Sequence, residues 1–264
     1  MTKTPYDRVK AARAADRPTG TDFIRGLVTD FLEFHGDRRY GDDPAVVGGV
    51  GRLGNQPVTV IALERGHTAK ERVSRNFGSP HPEGYRKALR LMKQAEKFGR
   101  PVLCLIDTAG AYCGVGAEER GQGQAIAENL IEMSTLCVPI ISILIGEGES
   151  GGALALAAGD RVWMLRNAVY SVISPEGCAS ILWKNAARAE TAAASLRLTA
   201  EDALELGVIE KIIPETDLCR ESFYKNLRTM LLEEFAALSA DGDLTGKRYD
   251  RFRRIGTLKG SDNL

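Results

Sequence analysis

The sequence predicts an α/β fold, in which buried strands alternate with helices, and three observations predict it. Runs at residues 58–63, 101–106 and 139–145 are short and almost wholly apolar, the pattern of strands buried on both faces. Between them lie amphipathic stretches such as residues 82–98, with Tyr85, Ala88, Leu89, Met92 and Ala95 on one helical face. Two glycine-rich segments, 107–116 and 146–152, each follow a buried strand and lie about forty positions apart. That spacing predicts adjacent strands whose C-terminal ends share one cleft.

Residues 1–20 are polar and predict a tail or a weak helix ended by Pro18 and Gly20. Thr21 and Asp22 can cap a helix running to about Phe34. The loop 35–44 ends in turn chemistry at Asp42 and Asp43 before Pro44, and strands 46–53 and 58–63 flank a Gly54-Asn55 hairpin turn. Residues 64–82 carry Arg65, His67, Lys70, Arg72 and Arg75, and predict either a solvated loop or short helix, or a lid or docking surface. Pro82 opens the next helix and Gly99 stops it; its Arg86, Lys87, Arg90 and Lys93 are expected in solvent. A helix over 121–136 should turn Ile126, Leu130 and Met133 inward. Strands 161–165 and 169–173 flank Arg166-Asn167. Ser174, Pro175 and Glu176 start a helix through Trp183, and Thr199 with Asp202 starts a short one ended by Gly207. A strand at 208–213 and a helix at 217–238 follow. The tail holds Lys247, Arg248, Arg251, Arg253 and Arg254 and is expected to be solvated. This divides the chain into an N-terminal tail or helix (1–20), one main domain (21–240) and a basic C-terminal tail (241–264).

The 264 residues are 44% hydrophobic, enough for a sizeable core. Lys+Arg and Asp+Glu both number 35, which argues against nucleic-acid binding driven by bulk charge. The five cysteines form no C-x-x-C pair, so a reduced, cytoplasmic protein without structural zinc is expected, with Cys104 and Cys137 as core thiols. The first residues carry no apolar signal region, and no apolar run is long enough to suggest a membrane span.

The stretch 139–160 carries the chemistry. An Ile-rich strand, four glycines within residues 146–152 and an Ala/Leu-rich helix predict a strand, a sharp turn and a buried helix start. Free N–H groups of Gly151, Gly152 and Ala153 at that helix end form an anion site for a phosphate or an oxyanion. Gly148 to Gly152 matches the G-x-S-x-G nucleophile elbow, but His35, His67 and His81 all precede Ser150, and a hydrolase needs its His afterwards. Ser150 is then expected as a helix N-cap. A P-loop would need Lys and Ser/Thr where Gly152 and Ala153 stand. The dinucleotide pattern G-x-G-x-x-G fits Gly146 to Gly151, with Asp160 too close to serve as the ribose acid. Glu147, Glu149 and Glu176 are candidate carboxylates for acid/base work, or residues that simply favour helix N-termini.

Four motifs then bear a specific resemblance: PEGYRKALRLM, DTAGAYCGVGAEERGQ, IGEGESGGALAL and VISPEGCASILWK. In this order they resemble the alpha subunit of bacterial acetyl-CoA carboxylase carboxyltransferase, over about residues 17–214. The resemblance implies a crotonase-like α/β superhelix of β-β-α units with peripheral helices. It implies an alpha2beta2 assembly with a zinc-bearing beta subunit. This chain itself would hold no metal and no covalent cofactor, and biotin would be presented on a separate biotin carboxyl carrier protein. The implied reaction moves a carboxyl group from carboxybiotin to acetyl-CoA, giving malonyl-CoA for fatty-acid biosynthesis. The positions matching the family's donors to the biotin carbonyl are the backbone N–H groups of Gly151 and Gly152; the beta subunit's own pair holds the thioester enolate. Gly110, Ala111, Tyr112, Gly114 and Ala153 match the carboxybiotin loop. Ala109 and Cys113 stand where the family has prolines, which loosens that loop, and Glu149 stands for a usual glycine. Two alternatives are a crotonase-type hydratase or isomerase using Glu147 or Glu176, and a non-catalytic carboxylase scaffold.

Overall fold

The computed structural model describes residues 3–257. Helix α1 (Pro5–Ala12) is started by a reciprocal capping box between Thr4 and Asp7. Helix α2 (Gly20–Leu27) starts at Thr19 rather than at Thr21, with Asp22 closing the box. It ends seven residues earlier than the apolar spacing suggested, because Val28 turns extended and β1 (Thr29–Glu33) pairs along the edge of β2 (Val46–Leu53). Phe31 and Leu32, which mimicked a helical face, belong to that edge strand, and Leu32 is exposed.

The hairpin of β2 and β3 (Gln56–Leu63) forms as expected, in unbroken antiparallel register. Helices α3 (Ala69–Ser74) and α4 (Pro82–Lys97) follow, then β4 (Val102–Thr108), α5 (Val115–Glu119), α6 (Gln122–Thr135), β5 (Ile140–Glu149) and α7 (Ser150–Ala157). Next come β6 (Arg161–Leu165), β7 (Val169–Ser171), α8 (Pro175–Trp183), α9 (Ala189–Leu196), α10 (Ala200–Glu205) and β8 (Lys211–Ile213), and the chain closes with α11 (Glu221–Ser239) and α12 (Leu244–Arg254). Ser174 and Thr199 cap α8 and α10 as their residue types predict.

One mixed sheet runs β1-β2-β3-β4-β5-β6-β8, antiparallel through β3 and parallel after it, and β7 pairs separately with β5. Strands β4 and β5 lie at its centre and are buried along their whole length. A continuous core cluster covers both faces, drawing on α2, α4, α11 and every strand from β2 to β6. Among the described residues no helix is long and apolar enough to cross a membrane.

Three expectations about charge and exposure are corrected. Lys87 is fully buried, its ammonium on Asp42 at 2.7 Å, and Arg86 holds Asp37 at 2.7 Å, so one side of α4 is built of neutralised pairs. The basic tail folds back as α12, with Arg248 1% exposed: its guanidinium meets both oxygens of Asp160 at 2.9 Å and the carbonyls of Met133, Leu136 and Val138. Residues 258–264 of that tail lie outside the described residues. Cys137 is exposed in the connection between α6 and β5, while Cys104 is buried as expected.

Candidate active site

Strands β4 and β5 are parallel neighbours, with Thr108 opposite Gly148, so their C-terminal ends share one edge as the glycine spacing predicted. Beyond Thr108 the loop doubles back: the Thr108 hydroxyl accepts from the Gly110 N–H and donates to the Gly110 carbonyl at 2.9 Å. Tyr112 donates its N–H to Pro80, and the buried Gln122 amide donates to the carbonyls of Pro80 and Tyr112 at 2.8 and 3.0 Å. The loop that Ala109 and Cys113 were expected to loosen is therefore tied down by hydrogen bonds.

The second segment is a strand where a turn was expected. β5 continues through Glu149, fully buried, with Gly146 and Gly148 inside it. A Cβ at Gly146 would collide with the carboxylate of Asp107, whose Oδ1 accepts the Glu147 N–H at 2.9 Å. This glycine serves close packing between strands. The sharp turn is confined to Ser150, at φ 56°, and Ser150 is the first helical residue, not the cap. Glu149 occupies the cap position and its side chain makes no cap bond. The first N–H groups of α7 thus have no acceptor within the helix and none from a cap.

Those N–H groups include Gly151 and Gly152, and the two differ. Gly151 borders an open groove of about 320 Å³, lined also by Ser150, Leu154, Tyr170, Ser171 and Val172. Gly152 is buried, and a Cβ there would lie 2.5 Å from the Ala111 nitrogen and 2.7 Å from the Gly110 carbonyl carbon. The structure therefore brings Gly110, Ala111, Gly151 and Gly152 together. Tyr112 stands further out, stacked on His81 with ring centroids 4.1 Å apart, and Gly114 lies under the Tyr112 ring. Ala153 is fully buried in the core, so its methyl faces no groove.

Behind the strand ends lies a charged cluster that sequence reasoning missed. Arg13, immediately after α1, reaches Glu147 at 2.6 Å, Glu176 at 2.8 Å and Glu149 at 3.8 Å. Arg17 donates to the Ile145 carbonyl at 2.7 Å and pairs with Glu215 at 2.9 Å, and Arg65 lies 3.1 Å from Asp107. Burial pushes Asp107 up to about 6, against the opposing charge of Arg65. Burial and the charge of Glu147 push Glu149 up to about 7. Burial would raise Glu176 too, but its hydrogen bond with Arg13 outweighs this and holds it below the ordinary range. None of the three glutamates borders the groove at Gly151, and Glu147 and Glu176 are engaged by Arg13, so the hydratase alternative lacks a free carboxylate there. Nothing in the local pattern marks Arg13 or Arg17, and Arg65 stood out only as part of a charged stretch, because their partners are far away in the sequence. Among the described residues no group of three or more His, Cys, Asp or Glu side chains could hold a metal ion.

Comparison with known proteins places the chain. It is 62% identical over 256 residues to the acetyl-coenzyme A carboxylase carboxyl transferase subunit alpha of Ruminiclostridium cellulolyticum, covering 96% of this chain and 98% of that one. The subunit of the same name from Streptococcus thermophilus is 56% identical over 248 residues, covering 93% and 97%. Among solved structures, a chain of a Pseudomonas malonate decarboxylase hetero-tetramer superposes with a TM-score of 0.71 at 18% identity, over 90% of this chain and 98% of that chain. The transcarboxylase 12S core gives a TM-score of 0.69 at 20% identity, over 89% of this chain and 45% of the longer one. These structures bear out the crotonase-like α/β architecture. Residues 2–256 match the acetyl co-enzyme A carboxylase carboxyltransferase-like family, and the chain belongs to that family.

Proposed function

We propose that this chain is the carboxybiotin-side half of a carboxyltransferase: with a beta subunit it moves a carboxyl group from carboxybiotin to acetyl-CoA, giving malonyl-CoA for fatty-acid synthesis in the cytoplasm. Carboxybiotin, presented by a biotin carboxyl carrier protein, supplies the carboxyl group. The chain's own part is electrostatic. The observation that carries the reading is the uncapped start of α7, where Gly151 lines an open groove while Gly152 is wedged against Gly110 and Ala111. Two fixed N–H donors at a helix N-terminus stabilise charge that develops on a carbonyl oxygen, and one such donor is worth about 3–4 kcal/mol in comparable sites. The groove's apolar Leu154 and Val172 and its aromatic Tyr170 suit a flat ring next to those donors. Gly110, Ala111, Tyr112 and Gly114 would form the loop wall of the biotin pocket.

A second oxyanion, on the thioester, needs a second donor pair, and this supports a partner subunit. So do Val172, Ile181 and Leu182 on the β7–α8 segment, exposed to 74%, 63% and 62%. The test is reconstitution. The chain combined with the carboxyltransferase beta subunit should carboxylate biocytin at the expense of malonyl-CoA, and neither subunit should do so alone. Full turnover by the isolated chain, or none by the pair, would overturn the reading.

A further inference from the structure

We propose that Arg13 is a positioning residue for the Gly151 and Gly152 donors, acting by holding together three carboxylates that stand where β5 ends and α8 begins. The proposal rests on the donor role given above. Its basis is geometric. Three different nitrogens of one guanidinium face three different glutamates: Nε faces Glu147 at 2.6 Å, Nη1 faces Glu176 at 2.8 Å and Nη2 faces Glu149 at 3.8 Å. The planar fork of arginine offers each glutamate its own nitrogen, where a lysine ammonium would offer all three a single point charge. Glu147 and Glu149 are 8% and 4% exposed and, two apart on one strand, share a face of β5. Glu149 directly precedes Ser150, whose left-handed φ of 56° persists only if its surroundings hold it. The donors follow at once. Without Arg13, two buried carboxylates on one strand face and a third from α8 would repel one another at the point that aims the first turn of α7. A displacement of about 1 Å at such a point can cost a hundredfold in rate.

Arg13 is itself held in place. Its N–H closes the end of α1 on the carbonyls of Val9 and Ala11. Arg8 of α1 donates to the Arg166 carbonyl at 2.8 Å and to Asn167 at 2.7 Å, and Val9 and Ala12 pack on Val169, Ala193 and Leu198. The ionisable groups facing Glu149 are Glu147 on its own strand, Arg13 beyond α1 and Glu176 on α8, with Tyr6 of α1 donating to Glu176 at 3.1 Å. Beyond Glu147 stand Asp107 of β4 and Arg65. With Glu149 protonated, Arg13, Glu147 and Glu176 leave one excess negative charge. Once Glu149 ionises near pH 7, pushed there first by burial and then by Glu147, the excess is two. Negative charge then opposes the charge that the donors must stabilise, so kcat falls as pH rises through about 7.

The test uses the assembly with the beta subunit and biocytin as acceptor. Arg13→Gln should lower kcat about tenfold to a hundredfold with KM little changed. Assayed at about pH 9, where Glu149 carries charge, Glu149→Gln added to it should restore much of that loss, since one carboxylate fewer needs holding, and Arg13→Lys should fall between wild type and Arg13→Gln. Loss of packing alone would not be relieved by removing a partner's charge. The alkaline fall in kcat should be absent from Glu149→Gln. A second readout needs no turnover. A carboxyl raised from 4.5 to about 7 on folding contributes stability that is complete below pH 4.5 and lost as pH rises through about 7. The isolated wild-type chain should therefore lose more Tm between pH 6 and pH 8 than Glu149→Gln does. Unchanged kcat in Arg13→Gln, a loss confined to KM, no rescue by Glu149→Gln, or equal pH dependence of the two melting curves would each overturn the proposal. An inactive wild-type assembly with the melting difference intact would instead overturn the functional reading, and the positioning role with it, while the titration of Glu149 stood.

Discussion

A methyl group added at Gly152 would meet the Ala111 nitrogen at 2.5 Å, whereas one added at Gly151 meets only Ile126, at 3.7 Å. Adjacent glycines therefore predict different outcomes. Gly152→Ala must push the Gly110–Ala111 backbone away, so it should lower Tm and disturb both loops together. Gly151→Ala should melt as wild type does, since its methyl meets only Ile126, yet lose on the order of a hundredfold in kcat, because added bulk on that residue crowds the oxygen that must approach its N–H. A Gly151→Ala protein with full turnover would move the acceptor site elsewhere. The sequence could name this pair, since a helix start after a strand needs no distant information. It could not say that Gly152 is forced by a loop about forty positions earlier. Arg13 and Arg17 were illegible for the same reason, lying 134 and 198 positions from Glu147 and Glu215.

Element by element, legibility followed the range of the forces involved. The β2–β3 hairpin, the cap at Ser174 and the box at Thr199 rest on residues within a few positions of one another, and they formed where the sequence put them. The start of β1 did not, because Phe31 and Leu32 fit a helical spacing and a strand edge equally well. Helix α12 failed differently: its buried residues are Arg248 and Arg251, three apart, with Leu244 and Phe252 only partly buried beside them, and a search for apolar periodicity passes over a face centred on arginine. This yields a test. Arg248→Ala leaves Asp160, 4% exposed, with its carboxylate stripped of its cation, and frees three carbonyls. Breaking such a buried pair costs about 3–5 kcal/mol. For a chain of this size that is a fall in Tm of roughly 10 °C. Arg248→Lys should recover only part of it, since an ammonium cannot reach every acceptor the fork does. A melting temperature within a degree or so of wild type would show that α12 is not needed to hold β5 and β6 together.

On the function proposed above, the molecule carries one half of a catalytic arrangement beside an exposed apolar segment, so its activity should be a property of a pair. Titrating a fixed amount of this chain with the beta subunit should raise turnover linearly and saturate at equal molar amounts, as an alpha2beta2 assembly requires. Saturation at another ratio would rule that stoichiometry out. The pairing of Arg17 with Glu215 carries a further consequence, for how the protein is made. Arg17 leaves the ribosome well before its carboxylate partner, which is synthesised 198 positions later. At about 5–20 residues per second that interval is roughly 10–40 s. Arg17 stands without Glu215 for all of it, and Arg13 waits 134 positions for Glu147. Nascent chains arrested before residue 147 should therefore be cut readily by protease within residues 1–20, and chains released at full length should resist. Helix α1 is thus fastened long after it is made.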